Sequence, residues 1–478
     1  MTLRAAAAAA FLAALVAAAD RPAVAASRPR YGGSLVRGFV GEVANLDPRR
    51  AVSAVEREAA RQLHATLYGY DEDGQPAPDL VAQAEVLPDG SEVRLQLRPA
   101  WFHDGRPVTA EDAAAALRGY AAGSPPGSLL GRPDGEPLVT VIGERTLVLR
   151  VAGAPVLWPW LLCDLGAAVV PARSGEPASG TVGAGPFRLA SRDSDSGEIV
   201  LRAHQRHHRG RPLLDEVTYR PYPSDRALRF AMQHEGVDVI ESRGRAEARA
   251  AVVGTHGEVV ALWLNRGRPG LAGAETRQRL AAAVQIDALI DIVLAGDASR
   301  SAGLVTPRPV LSPARDRVVA TAAATMPDRL SLLYPRSSGL DSVAARLRVD
   351  LAAIGVAVRL LPRRWGTLAT ELASGEFDLA LVVIPAGTYP AAVQLIAATG
   401  MIASEAPAAL VELAAAVDPW RGAGGLIYAA EAELLAAGEL RVLFRRNRRL
   451  LAEPTIRDVR LTPDGTLALD DAWRWPRP

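Results

Sequence analysis

His204, His207 and His208 stand close enough in the chain for their imidazoles to share a metal ion. The passage around them, LRAHQRHHRGRPLLDEV, reads as a strand running into a turn, and no carboxylate or cysteine stands at ligand spacing on one helix. Metal binding is therefore set aside. A serine nucleophile would need a strained G-x-S-x-G elbow followed by a histidine and an acid; the elbow is absent, and other triad orders stay open. Gly183-x-Gly185-Pro186 lacks the third glycine and the strand-turn-helix frame of a dinucleotide fingerprint. All the basic residues are arginine, which base composition explains most simply, and the absence of lysine excludes Schiff-base chemistry and phosphate loops of the Gly-Lys-Ser/Thr kind. Arg336, Ser337 and Ser338 at a helix start could hold a ligand carboxylate or serve as an ordinary cap. No catalytic residue, metal or cofactor is expected.

The elements that would position such groups are legible. In the stretch from Ser91 to Leu117, Val93, Leu95 and Leu97 alternate with charged and polar residues, the period of a half-buried strand that Pro99 ends. Trp101-Phe102 is a buried anchor, Asp104-Gly105 suits positive φ, and Thr109 with Asp112 caps a helix. Ser53 with Glu56 caps another, placing Val55, Ala59, Leu63 and Leu67 on one face. SLVRGFV from Ser34 is a strand, Trp158-Pro159-Trp160 is packing, and a long helix is expected over 275–294. From 330 to 384 the order is βαβαβ, which means a parallel sheet covered on both faces. Ligands of such sheets lie beyond the carboxyl ends of the strands, here at Pro335 to Ser338 and at Pro385, Ala386, Gly387, Thr388 and Tyr389.

With 478 residues the chain is long enough for two or three domains, because single cores stop growing at roughly 250 to 300 residues. Residues 1–25 have a basic start, an apolar run too short to span a membrane and an Ala23-Val24-Ala25 site, the pattern of a cleavable signal peptide. The formal net charge of +1 gives no reason to expect nucleic acid. Cys163 is the only cysteine, so no intramolecular disulfide forms and no lipobox cysteine follows the signal; a free periplasmic monomer is expected.

Five motifs in order carry a family resemblance. The run from Trp101 to Asp112, the upstream Leu67-Tyr68-Gly69-Tyr70 and Pro78-Asp79-Leu80, the turn Gly183 to Phe187, Gly210 to Asp215, and Glu235 to Val239 together resemble the bacterial extracellular solute-binding proteins of family 5, the peptide/nickel class. The resemblance implies an α/β, two-lobed periplasmic-binding-protein-like fold (type II, cluster C) with an extra subdomain and mixed sheets covered by helices. It divides the chain into domain I (31–48, 180–257 and 450–478), an accessory domain II (49–179) and domain III, the second lobe (258–449).

The same resemblance implies the solute-binding component of an ABC importer, with a small-molecule or peptide ligand and an inner-membrane permease as partners. Backbone and side-chain groups of Asn45, Asp47 and Tyr68 on one lobe would meet Ser337, Ser338 and 385–389 on the other. Peptide binders of the family carry an aspartate for the ligand's amine in the last of these segments, where this chain has Gly387 or Thr388. An amine-free ligand, or a charge supplied from elsewhere, is the consequence. Two other readings stay open: a sensor or protein-partner module on the same fold that has lost transport, and a secreted hydrolase.

Overall fold

Two long strands, Ala251–Leu264 and Leu440–Ala452, pair antiparallel along almost their whole length and carry everything else. The computed structural model describes residues 29–475 apart from 89, 131–137, 152–154, 173–179, 243–250, 302, 306–325, 337–338, 386–391, 393, 397, 399–409, 413–423 and 437. At its carboxyl end Ala251–Leu264 accepts Leu379–Pro385 as its other neighbour, and beyond that lie Arg329–Pro335 and then Ala357–Arg363. At the far end Leu440–Ala452 pairs with Val239–Ser242, and the sheet continues through Ser34–Val40, Glu216–Tyr222, Ile199–Ala203 and Phe187–Arg192. One mixed sheet thus runs through two halves of the molecule, joined by a single two-stranded ladder.

In one half the βαβαβ pattern folds as its alternation predicts. Arg329–Pro335 pairs parallel with both Ala357–Arg363 and Leu379–Pro385, with helices Asp341–Ala352 and Trp365–Ser374 as the crossovers. The long helix expected over 275–294 is instead broken. Helix Ala274–Ala283 stops because Val284 is extended and the next N–H, of Gln285, donates to the Asp350 carboxylate at 2.9 Å instead of to a helical carbonyl. A short turn and a π-helix over Leu289–Val293 follow. The strand expected from Val259 begins earlier, at Ala251, past a bulge between Val252 and Gly254.

A separate antiparallel sheet holds Val81–Val86, Glu92–Leu97, Thr146–Arg150 and Val139–Gly143, with the helix Ala110–Gly123 against it. Val93, Leu95 and Leu97 are fully or almost fully buried, and the Thr109–Asp112 capping box is formed in both directions. The Ser53–Glu56 box is formed too, but its helix ends at Leu63, so Leu67 is buried from outside it. The cause is the crossover at 180–187: Gly185 N–H takes the Leu63 carbonyl at 2.9 Å, and His64 Nε2 donates to Gly180 O at 2.7 Å.

That crossover explains the glycines of the Gly183-Ala184-Gly185 turn. A Cβ at Gly183 would lie 2.0 Å from the Leu63 carbonyl oxygen, and one at Gly185 2.5 Å from that of Gln62. Both obstacles are backbone, which cannot swing aside. Gly185→Ala should therefore cost at least about 1–3 kcal/mol by overpacking alone, measured by urea unfolding against Gly119→Ala, at an exposed helix position where an added Cβ meets nothing, as the control. Equal stability of the two variants would show that the crossover gives way.

Candidate functional site

A cleft of about 1340 Å³ opens where the two halves of the sheet and the four-stranded segment converge. Its rings come from three parts of the chain: Phe39 from strand Ser34–Val40, Tyr70, Tyr120 and Trp160 from the part carrying the four-stranded sheet, and Trp263, Trp365 and Phe377 from the half that holds the βαβαβ unit. Trp263 and Phe377 meet edge to face at 4.9 Å, Tyr70 and Trp160 lie tilted with centroids 6.3 Å apart, and the Arg61 guanidinium lies over the Tyr70 ring.

The charged groups lie along the joining ladder and next to it. Glu258 and Arg446 are register partners on the two long strands, and their side chains pair at 3.0 Å. Arg448, two residues along and so on the same face, reaches Glu241 at 3.4 Å. Arg37 meets Glu58 at 2.9 Å with its side chain 2% exposed and that of Glu58 0%. Burial opposes the Arg37 charge, and the Glu58 carboxylate more than offsets it, so the guanidinium pKa is raised. Burial likewise pushes Asp464 up, but Arg61 and Arg57 outweigh it, aided by the Thr462 and Thr466 hydroxyls, and hold the carboxyl far below its usual range. Glu56 is saturated differently: its two oxygens accept the N–H groups of Ala44, Asn45, Val52 and Ser53 at 2.9–3.1 Å.

That last arrangement fixes the loop of Asn45 and Asp47. Asn45 Oδ1 accepts the Asp47 N–H at 2.8 Å, and Asp47 is held low, against the effect of burial, by its pairing with Arg49. The neighbours Ala44, Pro48 and Arg49 line the cleft, while Asn45 and Asp47 do not. Tyr68 lies in the core, edge-on to Trp158 at 5.3 Å, and does not line the cleft. Pro385 ends its strand as the register partner of Glu258, beside the ladder. Ser337, Ser338, Ala386, Gly387, Thr388 and Tyr389 lie outside the described residues.

Trp160, read from the sequence as packing, lines the cleft, whereas Trp158 packs in the core. The signal that could have found the site was the run Arg441 to Arg449, where Arg446 and Arg448 fall at strand period and so on one face of a strand flanked by apolar residues.

The histidines take structural roles. His204 Nδ1 is 3.2 Å from Gly185 O, His207 Nδ1 3.1 Å from Gly210 O, and His208 Nε2 2.8 Å from Asp79. His103 Nε2 donates to Gly185 O while its Nδ1 accepts from Gly183 N, a pair that only the neutral ring can satisfy. No histidine or cysteine is among the described residues lining the cleft. Among the described residues no group of three or more His, Cys, Asp or Glu could hold a metal. Cys163 is fully buried, its thiol pushed up by burial and directed at Gly69 O and Pro159 O.

One ion pair crosses the mouth. Glu42, just beyond Ser34–Val40, meets Arg364, the residue before helix Trp365–Ser374, at 3.1 Å. Deeper in, one apolar cluster includes Leu161 and Leu130 from one part of the chain and Leu368 and Phe377 from the other, so the parts touch.

Residues 75–400 match the family model of the bacterial extracellular solute-binding proteins, family 5. An uncharacterized Bacillus subtilis protein, YhjP, is 33% identical over 181 residues, 37% of this chain, and the match spans only 30% of that relative. Among solved structures, AgaA from A. tumefaciens R10, bound to agropinic acid, has a TM-score of 0.78 at 22% identity over 93% of this chain and 99% of that one. The Escherichia coli murein tripeptide binding protein MppA scores 0.77 at 18% identity over 93% and 99%. MppA in its unliganded open form scores 0.57 at 19% identity over 92% and 97%. The fold is the two-lobed α/β fold of these binding proteins.

Two expectations can be measured. Burial lowers His64 and His103 to about 4 and His207 to about 3, below the ordinary 6.5. The unfolded chain then takes up protons that the folded chain refuses as pH falls from about 6.5 towards 4, so stability drops over that window, by on the order of 2 kcal/mol per histidine at pH 5. Urea unfolding at pH 7.5 and pH 5 should show it; a flat profile would mean these rings titrate freely. Glu42→Gln should widen the molecule in small-angle scattering at low salt, since an exposed pair is worth up to about 1 kcal/mol, or a few-fold in an open–closed equilibrium. An unchanged radius of gyration would remove the pair from the closure balance.

Proposed function

The chain belongs to family 5 of the bacterial extracellular solute-binding proteins, and on that premise we propose that it captures an oligopeptide-like or other polar solute between its lobes for an ABC importer. The cleft at the joining ladder carries this reading. It is large enough for a small solute, it is walled by aromatic rings, and its interior charges are already matched, so a ligand can be desolvated there without stranding a charge. Closure by hinge motion at the ladder needs no chemistry, and the absence of histidine and cysteine from the described lining supports binding without turnover.

We assign residues 1–25 to a cleavable signal, the working compartment to the periplasm, and the partner to an inner-membrane permease. The near-neutral charge supports neither nucleic acid nor polyanion partners, and a cleft complete within one chain supports a monomer. Segments 31–48, 180–257 and 450–478 form domain I, 49–179 domain II and 258–449 domain III in this reading. In this reading ligand contacts fall to Ala44, Pro48 and Arg49, which flank Asn45 and Asp47, to 337–338 next to Arg336, and to 385–389 beyond Val383, with Tyr68 left to the core; Arg336 and Val383 line the cleft.

A thermal-shift screen of the exported chain against short peptides, oligosaccharides, metal ions and small acids tests the reading. A ligand at a hundredfold its Kd adds about 2.7 kcal/mol to the folded state and raises Tm, and mass spectrometry should recover that ligand unaltered. Silence from every class, with the protein folded, would end the importer reading; a ligand recovered chemically changed would make the chain an enzyme.

A further inference from the structure

Within the cleft, carboxylates are bound before any ligand arrives. Glu241 and Glu258 pair with Arg448 and Arg446, Asp464 with Arg61 and Arg57, and Glu56 is saturated by four backbone N–H groups. Asp225, in the first turn of helix Asp225–His234, also lines the cleft and forms none of these pairs. An ammonium group seated at the joining ladder would have to break one of them, and breaking a buried pair is costly.

The cations tell the opposite story at one place. Arg336 follows the strand Arg329–Pro335 and lines the cleft. Its backbone N–H donates to Arg363 O at 2.7 Å, which sets it beside the start of the helix that opens with Trp365. The flanking charges there are used: Arg363 pairs with Glu371 and Arg364 with Glu42. Asp341, five residues on, acts on the Tyr334 hydroxyl. Among the described residues no carboxylate pairs with Arg336, and Trp365, two residues after its backbone partner Arg363, is half-buried and lines the same cleft.

We propose that the cleft selects an anionic solute carrying a flat apolar face, with the anion on Arg336 and the face against Trp365 and the other lining rings. The proposal rests on the solute-binding reading and narrows its ligand class. A guanidinium offers a fork matched to carboxylate or phosphate oxygens, and indole takes the face of either a sugar or an aromatic ring. Sugar and aromatic sources share this chemistry, and separate probes can tell them apart.

The test is titration calorimetry of the exported chain with two probe sets. N-acetyl-Phe-Phe, N-acetyl-Phe-Phe-amide and Phe-Phe-amide carry one aromatic body as anion, neutral and cation; methyl glucuronide and methyl glucoside present one sugar ring as anion and neutral. In at least one set the anion should bind about ten- to a hundredfold more tightly than its neutral partner, the size of one charge-assisted bond. Arg336→Gln should bring the two within about twofold, raised salt should narrow the gap, and binding of the neutral probe should survive the substitution. Arg336 is exposed, so the variant should fold; its melting curve checks this. Tighter binding of the cation, or an anion preference that outlives Arg336→Gln, would overturn the proposal and leave solute binding intact. No binding by any probe would overturn it, and if the broader screen were also silent, the solute-binding reading would fall with it.

Discussion

The ladder between Ala251–Leu264 and Leu440–Ala452 is the constraint on which the molecule depends. The two strands carry one sheet from one half of the molecule into the other, so their backbone groups must stay paired across the junction. The bulge between Val252 and Gly254 lies opposite the end of Leu440–Ala452 that pairs with Val239–Ser242, and Gly257, the register partner of Asn447, falls between that attachment point and the one at Leu379–Pro385. There the strands cannot be apolar on both faces, because one face borders the cleft. Charges appear on that face, and burial forces them to come in pairs.

This pairing explains why the cleft interior is ionic without being adhesive. Arg37–Glu58, Arg446–Glu258 and Arg448–Glu241 are each nearly neutral as units, so little net field is left to hold a solute of either sign. Selectivity is displaced to the edge, where Arg336 lacks a partner of its own among the described residues and Glu42 is engaged with the opposite lobe. Closure sets apolar contact against solvation: the cluster joining Leu161 to Leu368 favours the closed form, and the exposed ion pair adds a small, salt-sensitive increment.

Much of this architecture was legible in the sequence because it is written in local rules. Strand alternation at Val93, Leu95 and Leu97, the capping boxes at Ser53 and Thr109 and the βαβαβ order from 330 all depend on neighbours a few residues apart. What escaped depends on distant partners. Asp350 breaks the helix expected over 275–294 from sixty-five residues away, and the Gly183–Gly185 crossover ends another by claiming the Leu63 carbonyl. The site was half visible. The strand-end rule pointed to the stretch holding Arg336, which lines the cleft, and to 385–389, of which only Pro385 is among the described residues, while Trp160, Trp263 and the arginines of 446 and 448 become cleft residues only once the ladder brings both halves together. Trp158 and Trp160 show the limit plainly, since one residue of spacing separates a core ring from a ligand wall.

Cys163 carries one more consequence. Its sulfur has no accessible surface to offer, and its thiol is both shielded and held protonated by burial. In the oxidising compartment proposed for this protein, a lone surface thiol would be a covalent handle, joining copies to each other or capturing small thiols. Sealed beneath Gly69 and Pro159, it offers no such handle. The chain can therefore be exported with an odd cysteine and still leave its oligomeric state to non-covalent forces alone.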